Sequence, residues 1–244
     1  MLSPMSEASS HNPAGANAGT DTGFRHVRDW IFDLDNTLYR ADNGIFAQID
    51  GRMTEFVAGL LDMEHDAARR VQKELYRDHG TTLAGLIAVH NIDPEPYLDF
   101  VHDIDLSELH PDRALIAALA RLPGRRFVFT NGCRNHAMRI LERLQLADLF
   151  DQVWDIRTIG FIPKPAQAAY DAVVKAGEVS PARAAMFDDI ARNLVVPHEL
   201  GMTTVWLDGQ SDWSRQGPEF PVASKAHIDH ETRDLCSFLN SIGI

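Results

Sequence analysis

Residues 31–39 read IFDLDNTLY, an apolar run that ends in two aspartates one residue apart, Asp33 and Asp35, in a chain of formal net charge −12. Like charges this close raise each other's pKa unless a cation or a proton lies between them. Side chains two apart on a strand point the same way, so Asp33 and Asp35 face one crevice while Leu34 faces the core. The stretch predicts a strand with an acidic carboxyl end, and a partner that holds the acids together.

The same kind of run recurs. Residues 28–33, 126–130, 152–156, 184–188 and 203–207 are short, β-branched or aromatic, and predict strands. Between them, 136–146, 166–177 and 190–201 carry apolar residues three and four apart, as helices do. Strand alternating with helix implies an α/β fold with a parallel sheet. One interval breaks the rhythm, since Arg126 follows Asp35 by 91 residues, where a crossover needs little more than a helix. An α-helical lobe inserted after the first strand fills the gap. Within it, residues 63–80 place Met63, Ala67, Val71 and Leu75 on one side with Gly80 as C-cap, the segments around TTLAGLIAVH and PEPYLDFVHDI also predict helices, and 113–122 returns the chain to the core. The expected division is a leader over 1–24, a core over 25–41 and 108–244, and a cap over 42–107.

Composition sets the outer limits. A 244-residue chain with 45% hydrophobic and 24% charged residues can bury one core plus a lobe without staples. Cys133 and Cys236 form no CxxC pair or disulfide framework, which fits a reducing cytoplasm. The acidic balance, without a Lys/Arg cluster, excludes a nucleic-acid binder. No apolar run reaches the roughly 18 residues that would suggest a membrane span, and the opening residues lack the basic start and apolar centre of a secretory signal, so they read as a disordered leader.

Ligands of open parallel sheets bind outside the carboxyl ends of the strands. There the chain places Asp33 and Asp35, then Thr130-Asn131-Gly132, then Asp188-Asp189, with Lys164 in an IPKP loop. Four aspartates at one edge call for a hard cation, and oxygen coordination by carboxylates plus a substrate phosphate is the habit of Mg²⁺. The acids therefore read as a metal and phosphate site, with Lys164 sharing the neutralisation. An EF-hand fails, because the sixth position is Leu38 and the twelfth Gly44. A zinc helix at PHELG fails because Met202 stands four after His198. Cys133 reads as a small buried thiol, and His136, at a helix start, as a packing residue able to reach substrate.

DLDNTLY, FTNG, KP and FDD, in this order, resemble the four motifs of the haloacid dehalogenase (HAD) superfamily of phosphohydrolases. YRDHGTTLAGL, FTNGCRNHAMRILERL and MFDDIARNLVVPHELGMTTVWL are similar to the pyrimidine 5′-nucleotidase branch. The resemblance implies a Rossmann-like core with a helical cap, and an enzyme that hydrolyses small phosphomonoesters, UMP and CMP above others. It implies Asp33 as nucleophile, Asp35 as general acid and base, and Thr130, the Asn131 N–H and Lys164 as phosphate binders. Mg²⁺ would be held by Asp33, the Asp35 carbonyl and Asp189, with Asp188 a further ligand or one step behind. Many relatives place another Asp a few residues after the Asp188-Asp189 pair, whereas here the position is Asn193. Tyr39, Thr81 and Thr82 are expected to contact the leaving group. Rival readings are a sugar-phosphate or phosphoglycolate-type phosphatase, and a binding protein that keeps the crevice without turnover.

Overall fold

The computed structural model describes residues 22–209 and 225–243. Strands β1 (Asp29–Phe32), β2 (Arg125–Phe129), β3 (Gln152–Trp154), β4 (Ala184–Asp188), β5 (Thr203–Leu207) and β6 (His230–Thr232) form one sheet. All pairings are parallel, in the order β3-β2-β1-β4-β5-β6. This is the doubly wound order, with its switch point at β1. Every residue of β1 and β4 is buried, as expected for strands covered on both faces. Trp30 and Phe32 pack on one face with Val128 and Phe187, whereas Ile31 packs on the other with Phe127, Phe129 and Met186. At the entry to β2, Gly124 has φ +88° and lies against Arg28, whose carbonyl oxygen would be 2.1 Å from an added Cβ. Only glycine fits there.

Four helices follow β1: α1 (Ile45–Leu61), α2 (His65–His79), α3 (Thr82–His90) and α4 (Pro94–Val101). Then α5 (Arg113–Ala120) leads into β2, and α6 (Arg134–Arg143), α7 (Gln167–Ala176), α8 (Val195–Glu199) and α9 (Leu235–Ser241) complete the helices of the described residues. The inserted helices share a hydrophobic cluster with the sheet, Val57, Leu75, Leu86 and Tyr97 belonging to the same group as Ile31 and Phe129.

Three expectations need correction. Residues 1–21 of the expected leader lie outside the described residues, as does 210–224 of the expected core. Phe24, assigned to the leader, is fully buried and stacks on Trp30 with ring centroids 5.8 Å apart. A lone aromatic before a strand carries no periodicity to show that it is core. On α2 the buried positions are Ala68, Gln72, Leu75 and Tyr76, while Met63, Ala67 and Val71 are only partly covered. The helix is turned by a polar contact, because Gln72 Nε2 donates to buried Asp50 Oδ1 of α1 at 2.8 Å, and Arg69 and Lys73 also reach that carboxylate at 3.1 and 3.4 Å. The helix expected over 190–201 is a 3₁₀ turn, Ala191–Leu194, followed by the short α8.

Candidate active site

Asp33 leaves β1 with its N–H donating to Phe187 O of β4 at 2.8 Å, which brings it beside Asp188 at the end of β4. Lys164, in the loop between β3 and α7, spans the two. Its Nζ donates to Asp33 Oδ1 at 2.7 Å, Asp188 Oδ2 at 2.8 Å and Phe129 O at 2.8 Å. An ammonium has three donors, and all are used. Burial acts to lower the Lys164 pKa, but Asp188 and Asp33 more than reverse it, so Lys164 is held charged.

The carboxylates remain short of positive charge. Burial pushes the Asp33 pKa up to about 7, with Asp188 and Asp35 adding to it against the pull of Lys164. Burial, Asp33 and Asp188 likewise raise Asp189 well above its usual range. Carboxylate oxygens of Asp33, Asp188 and Asp189 lie within 4.8 Å of one another. Asp188 is saturated by its neighbours: beyond Lys164 it accepts from Ile190 N–H at 2.9 Å and from Asn193 Nδ2 at 3.0 and 3.2 Å. Among the described residues no hydrogen-bond donor reaches Asp33 Oδ2, the Asp189 carboxylate or the Asp35 carbonyl.

Asp35 is held differently. Asn36, at φ 63°, turns the chain just after it, a conformation Asn tolerates better than most residues. Tyr39 OH donates to Asp35 Oδ1 at 2.5 Å, and His136 Nε2 lies 2.9 Å from the same oxygen. Burial acts to raise the Asp35 pKa, but His136, the Tyr39 hydroxyl and His102 outweigh it and leave the carboxyl below its usual value. The His136 ring stacks on His102 with centroids 4.3 Å apart, and Cys133 Sγ lies 3.2 Å from His102 Nδ1. Burial holds His102 down at about 3, so that ring is neutral.

Thr130 is buried, and its Oγ1 accepts from Gly132 N–H at 2.9 Å. The Asn131 side chain clasps the Lys164 backbone, accepting from its N–H at 2.9 Å and donating to its carbonyl at 3.2 Å, while the Asn131 N–H has no acceptor among the described residues. These groups open into a cavity of about 130 Å³ between the sheet edge and the inserted helices. Asp33, Asp35, Lys164 and Asp189 line it from below, and Tyr76, Thr81, Thr82, Tyr97 and Leu98 from above. Of the expected leaving-group contacts, Thr82 lines the cavity with a hydroxyl whose one neighbour is that of Tyr97, whereas Thr81 Oγ1 is spent as N-cap of α3, accepting from Ala84 N–H at 3.0 Å. Tyr39 lies outside the cavity lining and serves Asp35 instead.

A family model described as haloacid dehalogenase-like hydrolase matches residues 30–195. The chain belongs to the haloacid dehalogenase-like hydrolases. Phosphate metabolism protein 8 of Saccharomyces cerevisiae is 32% identical over 190 residues, 71% of this chain and 59% of the yeast protein, so the chain spans well under two thirds of that relative. Among solved structures, a HAD phosphatase from Thermococcus onnurineus superposes with a TM-score of 0.58 at 18% identity, covering 89% of this chain and 100% of the other. The HAD hydrolase YfnB from Bacillus subtilis, solved bound to magnesium, gives 0.56 at 15% identity, covering 89% and 99%. At these identities the superpositions speak for the fold alone.

In this HAD chain the donor set fits a hard divalent cation. It consists only of oxygens, two carboxylates have atoms with no other partner, and the buried cluster carries more negative charge than Lys164 offsets. Sequence reasoning missed the contacts of His136, His102, Tyr97 and Arg192. The FTNG-C-x-x-H spacing at the start of α6 was the one local signal for His136.

Proposed function

We propose that the chain is a Mg²⁺-dependent phosphomonoesterase that works through an aspartyl-phosphate on Asp33. The observation that carries this reading is the unequal treatment of two neighbouring carboxylates. Asp33 has one oxygen tied to Lys164 and the other free, while Asp35 is clamped by Tyr39 and His136. A nucleophile needs a free oxygen, and a general acid needs a fixed one.

Asp33 Oδ2 attacks phosphorus as the bond to the leaving oxygen breaks, and Asp35, ionised in the free enzyme because burial is outweighed by His136, Tyr39 and His102, passes to that oxygen a proton brought in by the ester monoanion. Asp35 then takes a proton from water, which attacks the aspartyl-phosphate, and inorganic phosphate leaves with Asp33 restored. Thr130 and the Asn131 N–H hold the phosphoryl oxygens, and Lys164, its three N–H groups on Asp33, Asp188 and Phe129 O, adds positive charge beside them, the electrostatic positioning on which this chemistry rests. Mg²⁺, held by Asp33, the Asp35 carbonyl and Asp189, would supply charge neutralisation at the phosphoryl group. Asp188 acts from behind, as the anchor of Lys164. Dehalogenation has no need of an acid at Asp35, and a binding protein needs neither nucleophile nor acid.

The cap and α6 motifs favour pyrimidine nucleoside 5′-monophosphates. The cavity supports a second reading, a small ester such as a sugar phosphate or phosphoglycolate, because about 130 Å³ is below the roughly 300 Å³ at which ordinary ligand pockets begin. A nucleotide would require the inserted helices to lift. Phosphate release from both ester types, with and without chelator, tests the proposal. Wild type in Mg²⁺ should turn over at least one type, and Asp33→Asn should release none while keeping its circular dichroism. Activity of Asp33→Asn, or activity indifferent to chelator, would defeat the assignment.

A further inference from the structure

The cavity has a second polar end that the hydrolytic step does not use. Arg192, three residues beyond Asp189, is 7% exposed and lines the cavity from the core side. It donates through Nη2 to the Tyr76 hydroxyl of α2 and lies over that ring, 5.2 Å from its centroid. Its Nε has no hydrogen-bond partner, and no carboxylate pairs with it among the described residues. From the inserted helices, the Thr82 and Tyr97 hydroxyls line the same cavity, each 2% exposed, and apart from each other neither has a partner.

Buried polar groups are nearly always satisfied, and a native exception calls for a cause. Here the Arg192 Nε, the Thr82–Tyr97 hydroxyl pair that reaches no third group, and Asn36 Oδ1 at the turn after Asp35 belong to residues of one cavity, the one that holds the nucleophile. Guanidinium stays charged in any protein and donates only. A tyrosine hydroxyl and an aromatic face do not neutralise it. The complement of a buried donor fork flanked by two hydroxyls is a group rich in acceptor oxygens.

We propose that Arg192, with Thr82 and Tyr97, is the leaving-group site, and that it selects phosphate esters whose leaving group presents acceptor oxygens, a carboxylate or a ring carbonyl, over esters that lack them. This rests on the phosphomonoesterase reading and names what that site reads. Ordinary packing does not account for Arg192, since α2 could be held by an apolar side chain at lower desolvation cost.

The test is kcat/KM for 2-phosphoglycolate, UMP and ethyl phosphate, in Mg²⁺, for wild type, Arg192→Met, Arg192→Lys and Tyr97→Phe. Wild type should prefer at least one acceptor-bearing ester to ethyl phosphate, and which one distinguishes a carboxylate from a ring carbonyl. Arg192→Met should cut that preference about 10- to 100-fold, mainly through KM, and Arg192→Lys should restore only part of it because a point charge replaces a fork. Equal losses on all three esters, a fall in kcat alone, or no wild-type preference would overturn the inference and leave the phosphatase reading standing. Should Arg192→Met not fold, Tyr97→Phe decides by the same ratio, an unchanged ratio counting against the site. Absence of phosphate release from every ester in wild type would overturn both.

Discussion

At Asp35 a single oxygen receives two side chains, the Tyr39 hydroxyl from four residues on and His136 from 101 residues away. Both contacts restrict the rotation of the carboxylate that, in the proposed mechanism, delivers a proton to the leaving oxygen. Hydrogen bonds to charged groups are worth about 1.5–3 kcal/mol, so Tyr39→Phe and His136→Ala should each lower kcat about 10- to 100-fold with KM little changed, in steady-state kinetics. A change confined to KM would return Tyr39 to the substrate contact that its sequence position suggests. The acids and Lys164 were legible because each ends or follows an apolar run, and strand ends of a parallel sheet meet at one edge. His136 was legible only as a residue near the start of α6, a place that does not tell a histidine packed on the helix from one bonded to Asp35. Asn193 was legible only as a departure from acid, and its place on both oxygens of Asp188 is a tertiary fact.

At the scale of elements, polar contacts decide details that apolar periodicity leaves open. The stripe on α2 predicted the helix and its Gly80 stop, but the buried Asp50–Gln72 contact turned its face. Asp50→Ala should therefore cost about 2–3 kcal/mol in urea unfolding, somewhat below the usual loss for a broken buried pair because Arg69 is half exposed. Asp155 ties α6 to the β3 loop, accepting from Arg134 N–H at 2.9 Å and from Thr158 N–H and Oγ1 at 3.0 and 2.7 Å. Burial acts to raise its pKa, yet Thr158, the Arg134 N–H and Arg157 hold it below the ordinary 3.8. A depressed carboxylate stabilises fully above its unfolded value and loses that contribution as pH falls through its folded value. The melting-temperature gap between wild type and Asp155→Asn should thus be largest above the ordinary carboxylate range and close as pH falls through and below it. Strand β6 escaped sequence reading because three residues, His230–Thr232, none fully buried, carry no alternation.

On the scale of the whole molecule, a doubly wound sheet brings buried carboxylates from two of its strands to its switch point, under four inserted helices, in a chain that is already acidic. Folding in the absence of a cation leaves those charges opposed, so a bound divalent ion should stabilise the native state. At 100 times its dissociation constant Mg²⁺ would add about 2.7 kcal/mol, a rise in melting temperature of roughly 5–10 °C for a domain of this size. Asp189→Asn, which removes the carboxylate with no other partner, should abolish the rise. The proposed catalysis asks for more than a bound ion, because it requires Asp33 itself to become phosphorylated. Borohydride reduction of enzyme quenched during turnover, followed by peptide mass spectrometry, reads this directly. The account predicts homoserine at position 33; an unmodified Asp33, or reduction at another carboxylate, would contradict it.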